Sequence, residues 1–268
     1  NQPAEILNQT KYTQICILTM SLAILNVLED KNIKAEDSAG LSLGEYASLI
    51  YSGALSFEDG ISIVKKRGEY MQNLLPEGDW KMAAVLGLDE KSVISACNSV
   101  KNGFVVPVNF NTIGQIVVSG DAEGISELQK TATEYGAKKV RVLNTAGPFH
   151  TEKLVDAANA LRKDLKKIKF HEFNSKVFKN IDGYEYKNND NMADILARHI
   201  VSPVKFSDVL KNMYADGVDT FIEIGPGKTL SGFVKRMEFE RPVYIFNINN
   251  VDSLEFTIDS LKKNVEVF

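Results

Sequence analysis

The chain has 268 residues, 44% hydrophobic and 25% charged, proportions that allow a soluble globular protein with a sizeable core. Its formal net charge of -4 supplies no basic field for nucleic acid or an anionic membrane surface, and neither is expected as a partner. The two cysteines, Cys16 and Cys97, form neither a CxxC pair nor a dense disulfide pattern, which fits a reducing cytoplasm.

The sequence opens at Asn1 rather than at an initiator and leads almost at once into a helical pattern, so an upstream piece is expected. The longest apolar runs, such as ICILTM at 15–20, are shorter than a membrane span, and no signal-peptide pattern opens the chain. Residues 10–30 and 56–75 read as helices, the second starting on the capping-box-like Ser56-x-x-Asp59. From Met82 the apolar period changes: MAAVLGL (strand), DEKSVISACNSV (helix), VVPVNFN (strand), QIVVSG (strand), AEGISELQKTATEYG (helix), KVRVLN (strand). This βαββαβ order is ferredoxin-like. Mixed α/β patterning then resumes, with helices at about 152–167 and 191–200 and the strand DTFIEIG at 219–225. A small unit at 79–146 is therefore expected inside a larger α/β domain made of 1–78 and 147–268. Such a junction favours a ligand cleft.

Within Gly40-Leu41-Ser42-Leu43-Gly44, Ser42 matches GxSxG, the spacing that exposes a serine oxygen on a sharp strand-to-helix turn. At a helix N-terminus the Leu43 N–H would meet a developing oxyanion. A plain Gly-Ser turn is the competing reading. A serine nucleophile needs a base, and the chain has 3 histidines. His199 lies in a helical pattern and reads as a packing or surface residue; His171 falls in strand or loop without evident partners. His150 ends GPFH between the small unit's last strand and a helix, at the expected cleft.

Arg67 stands out on the helical wheel, at roughly 100° per residue. Ile63, Val64, Tyr70, Met71 and Leu74 share one arc, Lys65, Lys66, Glu69, Gln72 and Asn73 the opposite one, and Arg67 lies within the apolar arc. A buried guanidinium needs an acid, either internal or on a ligand, and its planar fork suits a carboxylate.

The ordered set GLSLGEYASL, KKRGEYMQ, VPVNFNTIGQIVVSG, AGPFHTEKL, SPVKF and FIEIGPGKTLSGFVKR resembles the bacterial malonyl-CoA:acyl carrier protein transacylases, from about residue 5 to 236. The resemblance implies an α/β-hydrolase-like large domain with an inserted ferredoxin-like subdomain. It also implies transfer of a malonyl group from malonyl-CoA to the phosphopantetheine thiol of acyl carrier protein through a malonyl-serine, for fatty acid synthesis. No bound cofactor or metal is implied, and the chain is expected to be a monomer.

By motif position Ser42 resembles the nucleophile, His150 the base and Arg67 the holder of the malonyl carboxylate, while Phe149 resembles the residue that crowds out a 2-methyl group and Gln14 a pocket glutamine. A backbone carbonyl in the loop Ser202-Pro203-Val204-Lys205 is expected to orient His150. Lys138, Lys139, Lys235 and Arg236 resemble docking positions for the acidic carrier protein, although such pairs are also ordinary solvated surface. Gly225-Pro226-Gly227 reads as a tight turn before an anion nest.

Against the family pattern, the opening strand and Gly-Gln-Gly loop that carry a second oxyanion donor have no match, Leu41 replaces a common histidine and Ile15 a proline, and Lys205-Phe206 stand where Arg or Gln and then Trp are common. The alternatives are a serine hydrolase or thioesterase using the same Ser-His pair, or an inactive acyl-binding protein. A clamp for a carboxylate favours transfer over general hydrolysis.

Overall fold

A computed structural model describes residues 4–144 and 147–265. The expected boundary between the small unit and the second half of the large one falls partly on Ala146, outside the described residues. In chain order the elements are α1 Ala4–Leu7, α2 Thr10–Asp30, β1 Asp37–Ala39, α3 Gly44–Tyr51, α4 Phe57–Asn73, β2 Trp80–Leu86, α5 Glu90–Asn98, β3 Val105–Thr112, β4 Gln115–Asp121, α6 Ala122–Glu134 and β5 Lys139–Val142. A short 3-10 turn at Glu152–Leu154 then leads into α7 Val155–Leu165, β6 Lys176–Phe178, α8 Met192–His199, α9 Phe206–Ala215, β7 Thr220–Ile224, α10 Thr229–Val234, β8 Tyr244–Ile248 and α11 Val251–Val265.

The segment from β2 to β5 forms one antiparallel sheet in the order β3-β4-β2-β5. Period-two alternation gives it two buried faces. Ala83, Val85, Ile116 and Val118 pack with Val93, Ala96, Ile125 and Leu128 of α5 and α6. The opposite face, with Met82, Ala84 and Val117, joins the main core of Tyr46, Leu49, Ile63, Val64, Leu161 and Leu196. The sheet is thus cemented to the rest of the molecule by apolar burial on one side. A second attachment is a strand-like bridge: Val204 N–H donates to Val108 C=O at 2.8 Å and Phe110 N–H to Val204 C=O at 2.8 Å.

Outside this unit the sheet structure consists of two parallel two-stranded ladders, β1 with β6 and β7 with β8. The strand before Ser42 is only Asp37–Ala39, and all three residues are half-buried, which suits its polar sequence. Helix α4 starts as read, with the Ser56 hydroxyl accepting from Asp59 N–H at 3.1 Å.

Individual apolar runs are short, but the 21-residue α2 contains an 18-residue window with a mean hydropathy of 1.4, a length and composition that core helices share with membrane spans. In the fold it packs against α3, α4 and β7 and buries polar Gln14 and Ser21 along with Leu18 and Leu28.

Candidate functional site

Parallel pairing of β1 with β6 puts Ala39 opposite Phe178, so both strands end side by side. Just beyond those ends the chain makes the Ser42 turn on one side and presents Asn180 on the other. The Asn180 amide spans the turn, donating from Nδ2 to Gly40 C=O at 2.7 Å and accepting from Ser42 N–H through Oδ1 at 2.7 Å. Nothing in FKNID marked this asparagine beforehand.

Ser42 adopts φ 53° and His150 φ 61°, and Asn32 is the other described non-glycine residue at positive φ. Each such conformation costs about 1–3 kcal/mol and persists only where the surrounding structure enforces it. Of the two motif glycines only Gly40 is sterically required: a Cβ there would lie 1.9 Å from the Gly44 carbonyl carbon, whereas one on Gly44 would meet nothing within 4 Å. The turn closes by bringing two backbone segments together where no side chain fits.

Ser42 Oγ lies 2.9 Å from His150 Nε2. His150 Nδ1 lies 2.9 Å from the backbone oxygen of His199, so Nδ1–H donates to that carbonyl and Nε2 is left as the acceptor for the serine proton. The orienting carbonyl is therefore that of His199, at the end of α8, whose exposed last-turn carbonyls carry partial negative charge. The loop expected to supply it has another job: Val204 bridges to β3, and Lys205 N–H donates to Asn180 C=O at 2.7 Å. The Ser202 backbone does favour the protonated ring. Burial, followed by the charges of His199 and Arg67, nevertheless holds His150 well below the ordinary imidazole range. Neutral His150 can accept a proton.

Arg67 is 1% exposed. It donates through NH2 to Ser42 Oγ at 3.0 Å and through NH1 to Gln14 Oε1, with its guanidinium carbon 5.6 Å from the Tyr46 ring centroid. Among the described residues no carboxylate lies within 4 Å of it, although Glu45 contributes at longer range. Arg67 Nε and the Tyr46 hydroxyl are buried without a hydrogen-bond partner. Burial lowers the Arg67 pKa and pushes the Tyr46 phenol up to about 12. The pocket thus presents fixed donors and no internal acid.

The expected neighbours are here too. Gln14 is buried on α2 and binds the guanidinium; Phe149 is buried in the main core directly before His150. Leu43 starts α3 without a side-chain cap, and its N–H has no acceptor among the described residues. Glu45, His199 and Tyr186 were missed. Glu45 could have been found as Arg67 was, because it is the single charge in the helix GEYASLIY, fully buried at 0% exposure. His199, taken for packing or surface, is buried at 1%.

The remaining candidates lie elsewhere. His171 is exposed and lines a groove of about 650 Å³ that includes neither Ser42 nor Arg67. Gly225 and Gly227 are at positive φ, as a tight turn requires, and the N–H groups opening α10 at Leu230 and Ser231 are taken by the Glu223 carboxylate at 2.9 and 2.7 Å. Lys138, Lys139, Lys235 and Arg236 are exposed. Lys139 pairs with Leu86, Leu86 with Gln115, and Gln115 accepts from Arg236. At about 4.8 Å between strands, Lys139 stands roughly 10 Å from Gln115 at one end of the small sheet, the end that the Arg236 side chain also reaches. No group of three or more potential metal ligands occurs among the described residues.

Comparison with known proteins gives the class first: the chain belongs to the acyl transferase domain family, matched over residues 1–241. Within that class it is similar to malonyl CoA-acyl carrier protein transacylase of Bacillus subtilis, 36% identical over 262 residues, 97% of this chain and 82% of that one. The Escherichia coli K12 protein of the same name is 39% identical over 88% of this chain and 77% of its own length. The crystal structure of the Clostridium perfringens transacylase superposes with TM-score 0.92 at 39% identity, covering 100% of this chain and 84% of that one. A chain in the complex of a type II PKS acyl-carrier protein with its malonyl-transacylase superposes with TM-score 0.90 at 33% identity, over 96% of this chain and 84% of the other.

Proposed function

We propose that this chain moves a malonyl group from coenzyme A to the phosphopantetheine thiol of an acyl carrier protein through a malonyl ester on Ser42. His150 Nε2 takes the Ser42 proton as the oxygen attacks the thioester carbonyl, and the C–S bond breaks to release coenzyme A. The carrier thiol then attacks the ester and Ser42 regains a proton. The Leu43 N–H, free at the start of α3, is the donor for the tetrahedral oxyanion. Phe149 limits room beside the malonyl C2, and Gln14 steadies Arg67. The observation that carries this reading is Arg67, buried beside Ser42 without an internal acid. A malonyl carboxylate satisfies it; an acetyl group does not.

The four-stranded order β3-β4-β2-β5 supports reading residues 79–146 as a ferredoxin-like subdomain inserted into an α/β-hydrolase-like domain of 1–78 and 147–268. The convergence of Lys138, Lys139, Lys235 and Arg236 supports that edge as the docking surface for the acidic carrier. A cytoplasmic monomer that acts without bound cofactor or metal completes the proposal. Both fatty acid and polyketide carriers have the required thiol, and fatty acid synthesis is the reading adopted.

The test is intact-mass spectrometry after mixing with malonyl-CoA or acetyl-CoA. A malonyl adduct at Ser42 is expected in the wild type, and Arg67→Ala should lower the malonyl-to-acetyl loading ratio on the order of 100-fold, with Arg67→Lys between. An unchanged ratio refutes the clamp. Rapid release of free malonate without an adduct favours a hydrolase.

A further inference from the structure

The Ser42–His150 pair has no acid of its own, yet a fully buried carboxylate stands one shell behind it. Glu45 follows Ser42 by three residues, on the first turn of α3. Its Oε1 accepts from the Tyr186 hydroxyl at 2.5 Å, and burial together with the Glu45 charge raises the Tyr186 phenol well above its ordinary value. Its Oε2 lies 2.9 Å from His199 Nδ1. The ring is turned so that this contact is not aligned, and neither atom has any other partner among the described residues. Two buried polar atoms at that distance with nothing else in reach can satisfy only each other.

His199 is also the residue whose backbone oxygen holds His150 Nδ1, and the two imidazoles are neighbours, with centroids 5.1 Å apart and planes tilted by 33°. The same residue therefore grips the base through its carbonyl and faces the carboxylate through its ring. We infer that Glu45 and His199 are positioning residues: the carboxylate anchors the His199 ring, and the anchored ring holds the C-terminal turn of α8 so that its carbonyl fixes the tautomer and angle of His150. The inference rests on Ser42 and His150 acting as proposed above. It gives the buried acid a role reached through a neighbour's backbone rather than by direct contact with the base. It also gives Glu45 a partner other than Arg67, leaving the guanidinium to the substrate.

The test reads the Ser-His pair without malonyl. A fluorophosphonate forms an O–P bond to a serine oxygen as the P–F bond breaks, with His150 taking the proton. Phosphonylation of Ser42 should be slower by about tenfold or more in His199→Ala and in Glu45→Gln, because small misplacements of a catalytic group carry losses of that size. His199→Gln, with an amide donor in place of the imidazole, should recover most of the rate. The KM for malonyl-CoA should stay within about twofold, since Arg67 is untouched. In proton NMR the downfield His150 Nδ1–H resonance should persist in the wild type and His199→Gln and be lost to solvent exchange in His199→Ala. If His199→Ala reacts within about twofold of wild type and keeps that resonance, the inference is overturned. Tyr186→Phe removes only the hydroxyl on Glu45 and should give a smaller loss in the same direction, so an undiminished rate there refutes the anchor even if His199→Ala does not fold. A wild type that is phosphonylated at Ser42 but accepts no malonyl overturns the malonyl reading and leaves this one standing.

Discussion

In the four-stranded unit both helices start on an aspartate that accepts its own helix's N–H: Asp89 from Ser92 at 2.8 Å and Asp121 from Gly124 at 2.7 Å. The helix behind Ser42 starts on Leu43, with no side-chain cap. The same contrast holds in the interiors. Between the sheet and α5 and α6 lies an apolar cluster that includes Ala83, Val85, Val93, Ile125 and Leu128, whereas around Ser42 the chain buries an arginine, a glutamate, a glutamine and two histidines and twists two of its residues to positive φ. The helix side of the small unit follows the local rules of capping and apolar packing, whereas the region of Ser42 leaves donors open and conformations strained where a reaction needs them.

The largest expected departure comes from the strained side. His150→Ala should lower the rate of malonyl ester formation by about 10³ or more, measured by rapid-quench mass spectrometry, while far-ultraviolet circular dichroism is unchanged. A loss under tenfold would reassign the base.

Next in size is the effect at the sheet edge. Reversing charge at Lys138 and Lys139 should weaken transfer to carrier protein about tenfold at low salt, leave loading from malonyl-CoA unchanged, and fade as salt rises. Equal damage to both half-reactions would point to the fold rather than to docking.

A smaller effect separates the two regions by pH. Burial and nearby positive charge hold His150 below the ordinary imidazole value of 6.5. The base is therefore already neutral at pH 6.5, and loading by malonyl-CoA should persist as pH falls through that value and fail only below it. Arg67→Ala removes one of those charges, so the acid limb of its residual acetyl loading should move to higher pH; a limb that does not move would show that Arg67 has no part in setting His150.

The smallest change tests the regular unit. Asp89→Ala should reduce stability by about 1 kcal/mol, read by urea unfolding, with malonyl loading unaffected.

The regular parts were legible because local physics decides them. Alternating apolar residues and turn positions were enough for the strand and helix order of the small unit, and Ser56-x-x-Asp59 marked the start of α4. Arg67 was legible as a charge on an apolar arc, and His150 as a histidine at a junction. Of the two short parallel ladders only β7 was legible, as DTFIEIG; β1, β6, β8 and both pairings were not. These strands are only three to five residues long, too short for a period to register, and the pairing of β1 with β6 joins residues 139 apart, as Asp37 with Lys176.

The sequence by itself determined which side chains must be buried against their preference, since transfer of charge from water is costly wherever the fold puts it. Only the tertiary structure decided what they meet. It chose the His199 carbonyl rather than the loop after it as the partner of His150. It brought Asn180 across the end of β1 and left Arg67 without an acid. Those outcomes depend on backbone atoms and on contacts between distant segments, and neither carries a residue-type signature.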